Sequence, residues 1–134
     1  MFLITELTFV WFGLVVGISF VEAPLKFKAP GITRELGLGI GRLVFKALNR
    51  IELVLASAIT VMIFLSVKPV HYLNYAIPIG ILLLQTLWLL PTLTKRIDLI
   101  VSGKEVPKSK IHLVFIVLEV LKLVVLCIVG LQAR

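Results

Sequence analysis

The sequence predicts an all-α membrane protein in which four transmembrane helices pack as one bundle. Its 134 residues are 60% hydrophobic and have a mean hydropathy of +1.12. A soluble domain of this size needs a more polar surface, so the composition indicates membrane embedding. Four separate stretches are each long and apolar enough to cross a bilayer core, which takes about 20 residues. No connection is long enough to separate domains, so residues 1–134 are predicted to form a single transmembrane domain.

The four predicted spans cover residues 2–21, 44–67, 72–93 and 111–131. The first connection is long, the second short and the third of medium length. The N-terminus becomes apolar almost at once and lacks both a basic region and a small-residue cleavage site. We therefore interpret it as the first span and not as a removable signal.

Basic residues are concentrated in the first and third connections, which predicts the orientation. The first connection and its flanks hold Lys26, Lys28, Arg34, Arg42 and Lys46, and the third holds Lys95, Arg96, Lys104, Lys108 and Lys110. The positive-inside rule places both connections in the cytoplasm and both termini outside, as in a bacterial inner-membrane protein. The same asymmetry accounts for the net charge of +7, so a nucleic-acid partner is not expected.

Several basic side chains near the predicted membrane boundary are expected to contact lipid headgroups: Lys26, Lys28, Arg42, Lys46 and Arg50. Arg50 lies within the second span but is close enough to its cytoplasmic end to reach lipid phosphate with an extended side chain. The glycine-rich segment 31–41 is interpreted as a flexible connector or a short interfacial helix. Its apolar neighbours and the lack of a preceding strand argue against a phosphate-binding loop.

The first span contains Gly13 and Gly17, a pair spaced as in the GxxxG motif. Glycines at this spacing let a neighbouring backbone approach closely. We expect either a tight crossing within the chain or a contact face for a second copy.

Ionisable residues occur inside the second and fourth spans, where charge is costly. Glu52 shares one face of the second span with Asn49. In the fourth span Glu119 precedes Lys122 by three residues, a spacing at which the two can pair. Glu52 and Glu119 each lie about 12 Å from the inner boundary at the helical rise, so they are expected at similar depth.

These positions predict a polar cluster in the inner half of the bundle, formed by Glu22, Asn49, Glu52, Gln85, His112, Glu119 and Lys122. One interpretation is a cation or proton site, or a polar cavity open to the cytoplasm, because ionisable groups in a membrane usually serve a function. The other is a hydrogen-bonded network that fixes helix register, with Lys122 neutralising one carboxylate and the amides serving the rest.

Cofactor chemistry has little support in the sequence. His71 and His112 lie at opposite ends of the predicted spans, too far apart to ligate one haem across a core of about 30 Å. Haem ligated by a single histidine stays open as an alternative. Cys127 is the only cysteine, hydrolase motifs are absent, and the identity of any bound metal is left open. We predict no cofactor and favour a non-enzymatic protein.

Two stretches of the first half are similar to a known family. They run from Phe12 to Phe27, with Glu22-Ala23-Pro24-Leu25-Lys26-Phe27 at the end, and from Gly41 to Phe45. The chain resembles the small four-helix family typified by transmembrane protein 205, whose bacterial members are mostly uncharacterised. The resemblance implies a four-span integral membrane protein, and the eukaryotic relative is associated with platinum-drug resistance and trafficking. It implies no catalytic or ligand residues.

Three functional hypotheses follow. The first is a protein for small-solute or ion handling, or resistance, that acts through the polar cluster. The second is a structural or assembly subunit that uses the Gly13 and Gly17 face. The third is a cofactor-dependent membrane oxidoreductase. Because four helices are few for a pore, transport is expected to require a homo-oligomer in the lipid bilayer.

Overall fold

The computed structural model describes residues 2–107 and 110–134, which are helical apart from short connections. Four helices are long and apolar enough to cross a membrane: α1 (Leu3–Lys28), α2 (Arg34–Phe64), α3 (His71–Val101) and α4 (Ile111–Gln132). For the described residues, this confirms the prediction of an all-helical chain with four helices that are long and apolar enough to span a membrane. Lys108, assigned above to the third connection, lies outside the described residues.

The first connection is much shorter than the predicted loop. Helix α1 continues to Lys28 and α2 already begins at Arg34, so only residues 29–33 link them. The Thr33 hydroxyl accepts a hydrogen bond from the Leu36 backbone N–H at 3.1 Å, which caps the start of α2. Residues 34–41 of the glycine-rich segment therefore form the first two turns of a long helix, and only residues 31–33 belong to the connection.

Helix α3 is also longer than predicted and has several kinds of turn. A 3-10 helix, Pro69–Tyr75, begins two residues before α3 and forms its first turns, with a kink at Tyr72. Regular α-helix then covers Ala76–Leu84 and Leu90–Val101, with a π-helical segment between them.

Two π-helical segments, Val16–Glu22 in α1 and Gln85–Leu89 in α3, each precede a proline. Proline has no backbone N–H and its ring collides with the carbonyl four residues earlier, which usually breaks or kinks a helix. Here the residue before each proline donates its N–H to the carbonyl five residues earlier. The widened turn lets α1 pass Pro24 and α3 pass Pro91.

Helices α1 and α4 pack against each other, α2 packs against α1 and α3, and α3 also packs against α4. The buried face of α1 follows alternating steps of four and three residues through Ile4, Thr8, Trp11 and Val15, as expected for helices that cross at a small angle. Large apolar side chains cover much of the outer surface, including Val67, which is 96% exposed. A surface of this kind suits contact with lipid.

Close helix contacts occur at glycines other than the predicted pair. Gly13 and Gly17 have no atom within 4 Å of the position of an added methyl group, so they form no tight crossing within the chain. A methyl group added at Gly130 would instead lie 2.9 Å from the Phe9 ring, at the contact of α4 with α1. Gly37 likewise lies directly against the Phe27 ring. The close contacts are therefore found where a side chain of another helix lies against the glycine, and the spacing of the glycines in the sequence does not identify them.

Candidate functional site

Lys122 is the centre of a buried polar network. Its side chain is completely buried, and its Nζ lies 2.7 Å from Glu52 Oε1, 2.6 Å from Glu119 Oε1 and 2.8 Å from Gln85 Oε1. An ammonium group has three N–H donors, so these three acceptors satisfy it. One lysine therefore joins α2, α3 and α4.

Three further donors hold the two carboxylates in place. Gln85 Nε2 donates to Glu119 Oε1 at 2.9 Å, and Ser19 Oγ donates to Glu119 Oε2 at 2.7 Å. Trp11 Nε1 donates to Glu52 Oε1 at 2.9 Å. We call the six residues that span all four helices the Lys122 network: Trp11, Ser19, Glu52, Gln85, Glu119 and Lys122.

Both π-helical segments contribute a side chain to this network. Ser19 lies within the π-helical part of α1, and Gln85 is the first residue of the π-helical part of α3. Both side chains contact Glu119. Single π-helical turns are often found at functional sites, where they change the direction of a side chain. The two prolines that follow these segments therefore help to explain the local geometry around Glu119.

The network contains two carboxyl groups and one ammonium group, so with both carboxyls ionised it carries one excess negative charge. Glu52 and Glu119 are 3% and 2% exposed, and buried charges of this kind are costly unless they are paired. Binding of one proton or one monovalent cation would neutralise the excess.

A small pocket lies beside the two carboxylates. Its volume is about 10 Å³, close to the minimum for one water molecule or one small ion. Glu52, Glu119, Gln85 and Asn49 provide its polar wall, and the remaining lining is mainly aromatic and aliphatic. Carboxylate and amide oxygens are suitable ligands for a hard cation or for a protonated water.

A larger cavity, here the basic cavity, has a volume of about 570 Å³ and lies where α1 ends, α2 begins, α3 ends and α4 begins. We call this end of the molecule the basic end. The cavity wall includes Glu119 and Ser19 of the network and extends to exposed residues such as Arg34 and His112. Glu119 thus lines both the small pocket and the basic cavity.

The structure brings together four of the seven residues predicted for the polar cluster: Glu52, Gln85, Glu119 and Lys122. The other three lie apart from these contacts. Asn49 donates to Thr86 Oγ1 at 2.8 Å and reaches only the small pocket. Glu22 pairs with Lys26 at 3.3 Å, one turn along its own helix.

His112, the third of these residues, is exposed and lines the basic cavity. It lies seven positions before Glu119, about two helical turns towards the basic end. His71 is exposed near the other end of the molecule, at the start of α3. Among the described residues no group of three histidine, cysteine, aspartate or glutamate side chains could hold a metal ion.

The residues predicted to contact lipid headgroups divide into two groups. Lys28, Lys46 and Arg50 are exposed. Lys26 and Arg42 instead line the basic cavity, and each has an acidic partner, Glu22 for Lys26 and Asp98 for Arg42. The short first connection explains this difference, because it folds the end of α1 against the start of α2.

Trp11 and the contact of Ser19 with Glu119 were not predicted from the sequence. A sequence signal for Trp11 was present, since steps of four and three residues put it on one helix face with Ile4, Thr8 and Val15, and the structure buries this face completely. A tryptophan on such a stripe needs an acceptor for its indole N–H. The position of Ser19 depends on the π-helical turn, which the regular 100° step of an α-helix does not anticipate.

The geometry of the Lys122 network and of the adjoining cavities is the basis for assigning a function. Comparison of the chain with protein-family models, curated proteins and solved structures finds no match.

Proposed function

We propose that the protein is a four-helix bundle in a bacterial inner membrane, with its basic end in the cytoplasm and both termini outside. The distribution of lysine and arginine supports this orientation. Membership of the four-span family typified by transmembrane protein 205 is part of the same proposal and is supported by the sequence resemblance alone.

We further propose that the protein handles a proton or a small monovalent cation through the Lys122 network. The observation that carries this proposal is the excess of buried carboxylate over ammonium beside a pocket for one small ligand. A network that served only to fix helix register would be more stable if its charges balanced. The unbalanced carboxylate therefore favours reversible binding of a positive charge.

The basic cavity supplies a route to this site. Glu119 lies at the junction, with the small pocket on one side and the basic cavity on the other. A proton or cation that enters from the basic end would meet Glu119 first, and the Lys122 ammonium holds Glu119 and Glu52 in contact with the same nitrogen. Passage across the whole membrane would require an oligomer, because four helices in one chain rarely enclose a pore.

The test is ion flux in vesicles that contain the purified protein and an internal dye, which is pH-sensitive for protons or sodium-sensitive for sodium. We expect the wild-type chain to dissipate an imposed proton or sodium gradient, and Glu119→Gln, which leaves Glu52 paired with Lys122, to abolish that flux. The matched control is Glu6→Gln with Glu35→Gln, because both of these acidic residues are exposed and lie outside the network. Equal flux through the network variant and the control, or no flux through the wild type, would refute the proposal.

A structural role in a membrane complex is the second candidate. Gly13 and Gly17 are exposed on the surface of α1 and have open space around them, so this face is accessible to a second copy of the chain. The hypothesis predicts a defined homo-oligomer in mild detergent that Gly13→Leu with Gly17→Leu converts to monomer. Gly39→Leu with Gly80→Leu is the control, since these glycines also have open space. A wild-type chain that is monomeric counts against it.

A further inference from the structure

Within residues 2–107 and 110–134, the basic cavity has two cationic side chains that no acidic partner neutralises. The described part of its wall contains four lysine and arginine residues: Lys26, Arg34, Arg42 and Arg96. Glu22 pairs with Lys26, and Asp98 pairs with Arg42. Among the described residues, Arg34 and Arg96 have no carboxylate within ion-pair distance.

Arg96 is positioned but not neutralised. Its Nη2 donates to the backbone carbonyl of Pro107 at 2.9 Å, which orients the guanidinium without balancing its charge. Arg34 is the exposed first residue of α2, and its side chain lines the cavity. Two guanidinium groups are well suited to an anion with several oxygens, because each can donate two parallel hydrogen bonds to a phosphate.

The rest of the cavity wall is mainly apolar. Phe20, Leu93, Ile97, Phe115 and Ile116 line it, together with the small residues Gly37 and Gly41 of α2. Its volume of about 570 Å³ falls within the range of about 300–1,000 Å³ that is usual for ligand pockets. A cationic rim above apolar walls matches an amphiphile that has an anionic head and a hydrocarbon tail.

We propose that the basic cavity binds a phosphate-bearing lipid, with the phosphate held by Arg34 and Arg96 and an acyl chain packed along the apolar wall. We assign the phosphate head group to this position by charge complementarity, since two cations of the described cavity wall have no carboxylate partner. The apolar wall excludes a free hydrated phosphate as the preferred occupant, because it would leave most of that surface in contact with water. Basic pockets between helices at the cytoplasmic side are known sites for anionic lipid heads.

This inference concerns a different ligand and different side chains from ion binding at the Lys122 network, but it uses the same cavity, so a bound lipid would occupy the route to Glu119. Lipid retention is measured by mass and ion flux by dye response, so each proposal can fail without the other.

The test uses the purified full-length chain in mild detergent and native mass spectrometry. Three probes are compared: dioleoyl phosphatidic acid, dioleoylglycerol as the same lipid without phosphate, and inorganic phosphate. We expect retention of one phosphatidic acid per chain, and little retention of the other two probes. Arg34→Gln with Arg96→Gln should weaken phosphatidic acid binding by about tenfold or more, because it removes charge-assisted hydrogen bonds.

The matched control is Lys95→Gln with Lys104→Gln, which removes two exposed positive charges from the same end of the molecule outside the cavity. This variant should retain phosphatidic acid as the wild type does. Should the Arg34 and Arg96 double variant not fold, Arg34→Gln alone replaces it, since Arg34 is exposed at a helix end.

Equal weakening by both double variants would overturn the proposal, since it would indicate general attraction of anionic lipid to a basic surface. Equal retention of dioleoylglycerol, or binding of inorganic phosphate as tight as that of phosphatidic acid, would overturn it as well.

Discussion

At the scale of single residues, Lys122 has the most demanding environment in the described part of the chain. Its side chain is fully buried, and its three donors are matched by acceptors from α2, α3 and α4. The attraction within such a group offsets the cost of burying its charges only while every partner is present. Removing one partner is therefore more damaging than removing the whole set.

We expect Lys122→Met to lower the free energy of unfolding by about 3–5 kcal/mol, because it leaves Glu52 and Glu119 buried without a counter-charge. Thermal unfolding in detergent measures the effect. Adding Glu52→Gln and Glu119→Gln to the same chain should restore most of the loss, since no unpaired charge remains. Lys46→Met serves as the control at an exposed position. A Lys122→Met chain as stable as this control would contradict the prediction.

The two tryptophans provide a second comparison of single residues. Trp11 is completely buried and donates to Glu52 at 2.9 Å, whereas Trp88 is 49% exposed. We expect Trp11→Phe to destabilise the protein by about 1.5–3 kcal/mol, as for loss of a hydrogen bond to a charged group. Trp88→Phe should change stability by less than about 0.5 kcal/mol. Thermal melts of both variants decide the matter, and equal shifts would show that the indole donor has no special role.

At the scale of elements, the length of the helices departs most from expectation. Pro24 and the glycines of segment 31–41 suggested a break, since proline and glycine both disfavour a helix interior. The structure shows how the helices continue: a π-helical turn accommodates Pro24, and the glycines of α2 receive the side chains of Phe27 and Lys26. The glycine contacts join two helices, which a local sequence pattern does not describe.

Glycine provides the clearest test at this scale. Gly130→Ala should destabilise the protein by about 1–3 kcal/mol, because the new methyl group would lie 2.9 Å from the Phe9 ring and 3.2 Å from a Thr8 carbon. Gly80 lies within a helix and has open space where a methyl group would be added, so Gly80→Ala should be neutral or stabilising by up to about 1 kcal/mol. Opposite signs in thermal melts are the expected result. Destabilisation by both substitutions to the same extent would argue against a tight contact at Gly130.

The helical periodicity of the sequence predicted which side chains share a buried helix face better than it predicted which side chains contact each other. The steps of three and four residues along α4 place Glu119, Lys122 and Leu126 on its buried face, as their sequence spacing suggests. The same reasoning grouped Glu22 and His112 with them, although both lie towards the basic end. A helical wheel gives direction around an axis, but it does not give the tilt and π-helical turns that set the height of a side chain.

At the scale of the whole molecule, the surface consists of an apolar belt with positive charge concentrated towards one end. The amount of apolar sequence was sufficient to predict four spans, and four helices of suitable length are present. The basic cavity was not predicted in this form, because it results from the ends of all four helices together. Its volume depends on how the short first connection folds α1 back against α2.

Four spans would place both termini on the same side of the membrane, and the orientation that we propose from the charge distribution puts that side outside. We expect alkaline phosphatase fused to either terminus to be active in a bacterial host, since that enzyme folds only outside the cytoplasm. A fluorescent protein inserted between α3 and α4 should be fluorescent, because that connection is assigned to the cytoplasm. Inactive phosphatase at both termini would reverse the orientation, and activity at only one would indicate an odd number of crossings.

The π-helical turn in α1 implies that the chain is sensitive to the loss of a single amino acid at this point. Deleting one residue from segment 16–22 would remove the extra residue of the wide turn and restore regular α-helix, so the ring of Pro24 would collide with the carbonyl four residues before it. The kink or break at this proline would move Lys26 and Phe27 away from Gly41 and Gly37, the neighbours they now contact. A shortened chain would keep its apolar length and still lose the basic cavity, which requires the end of α1 to pack against the start of α2.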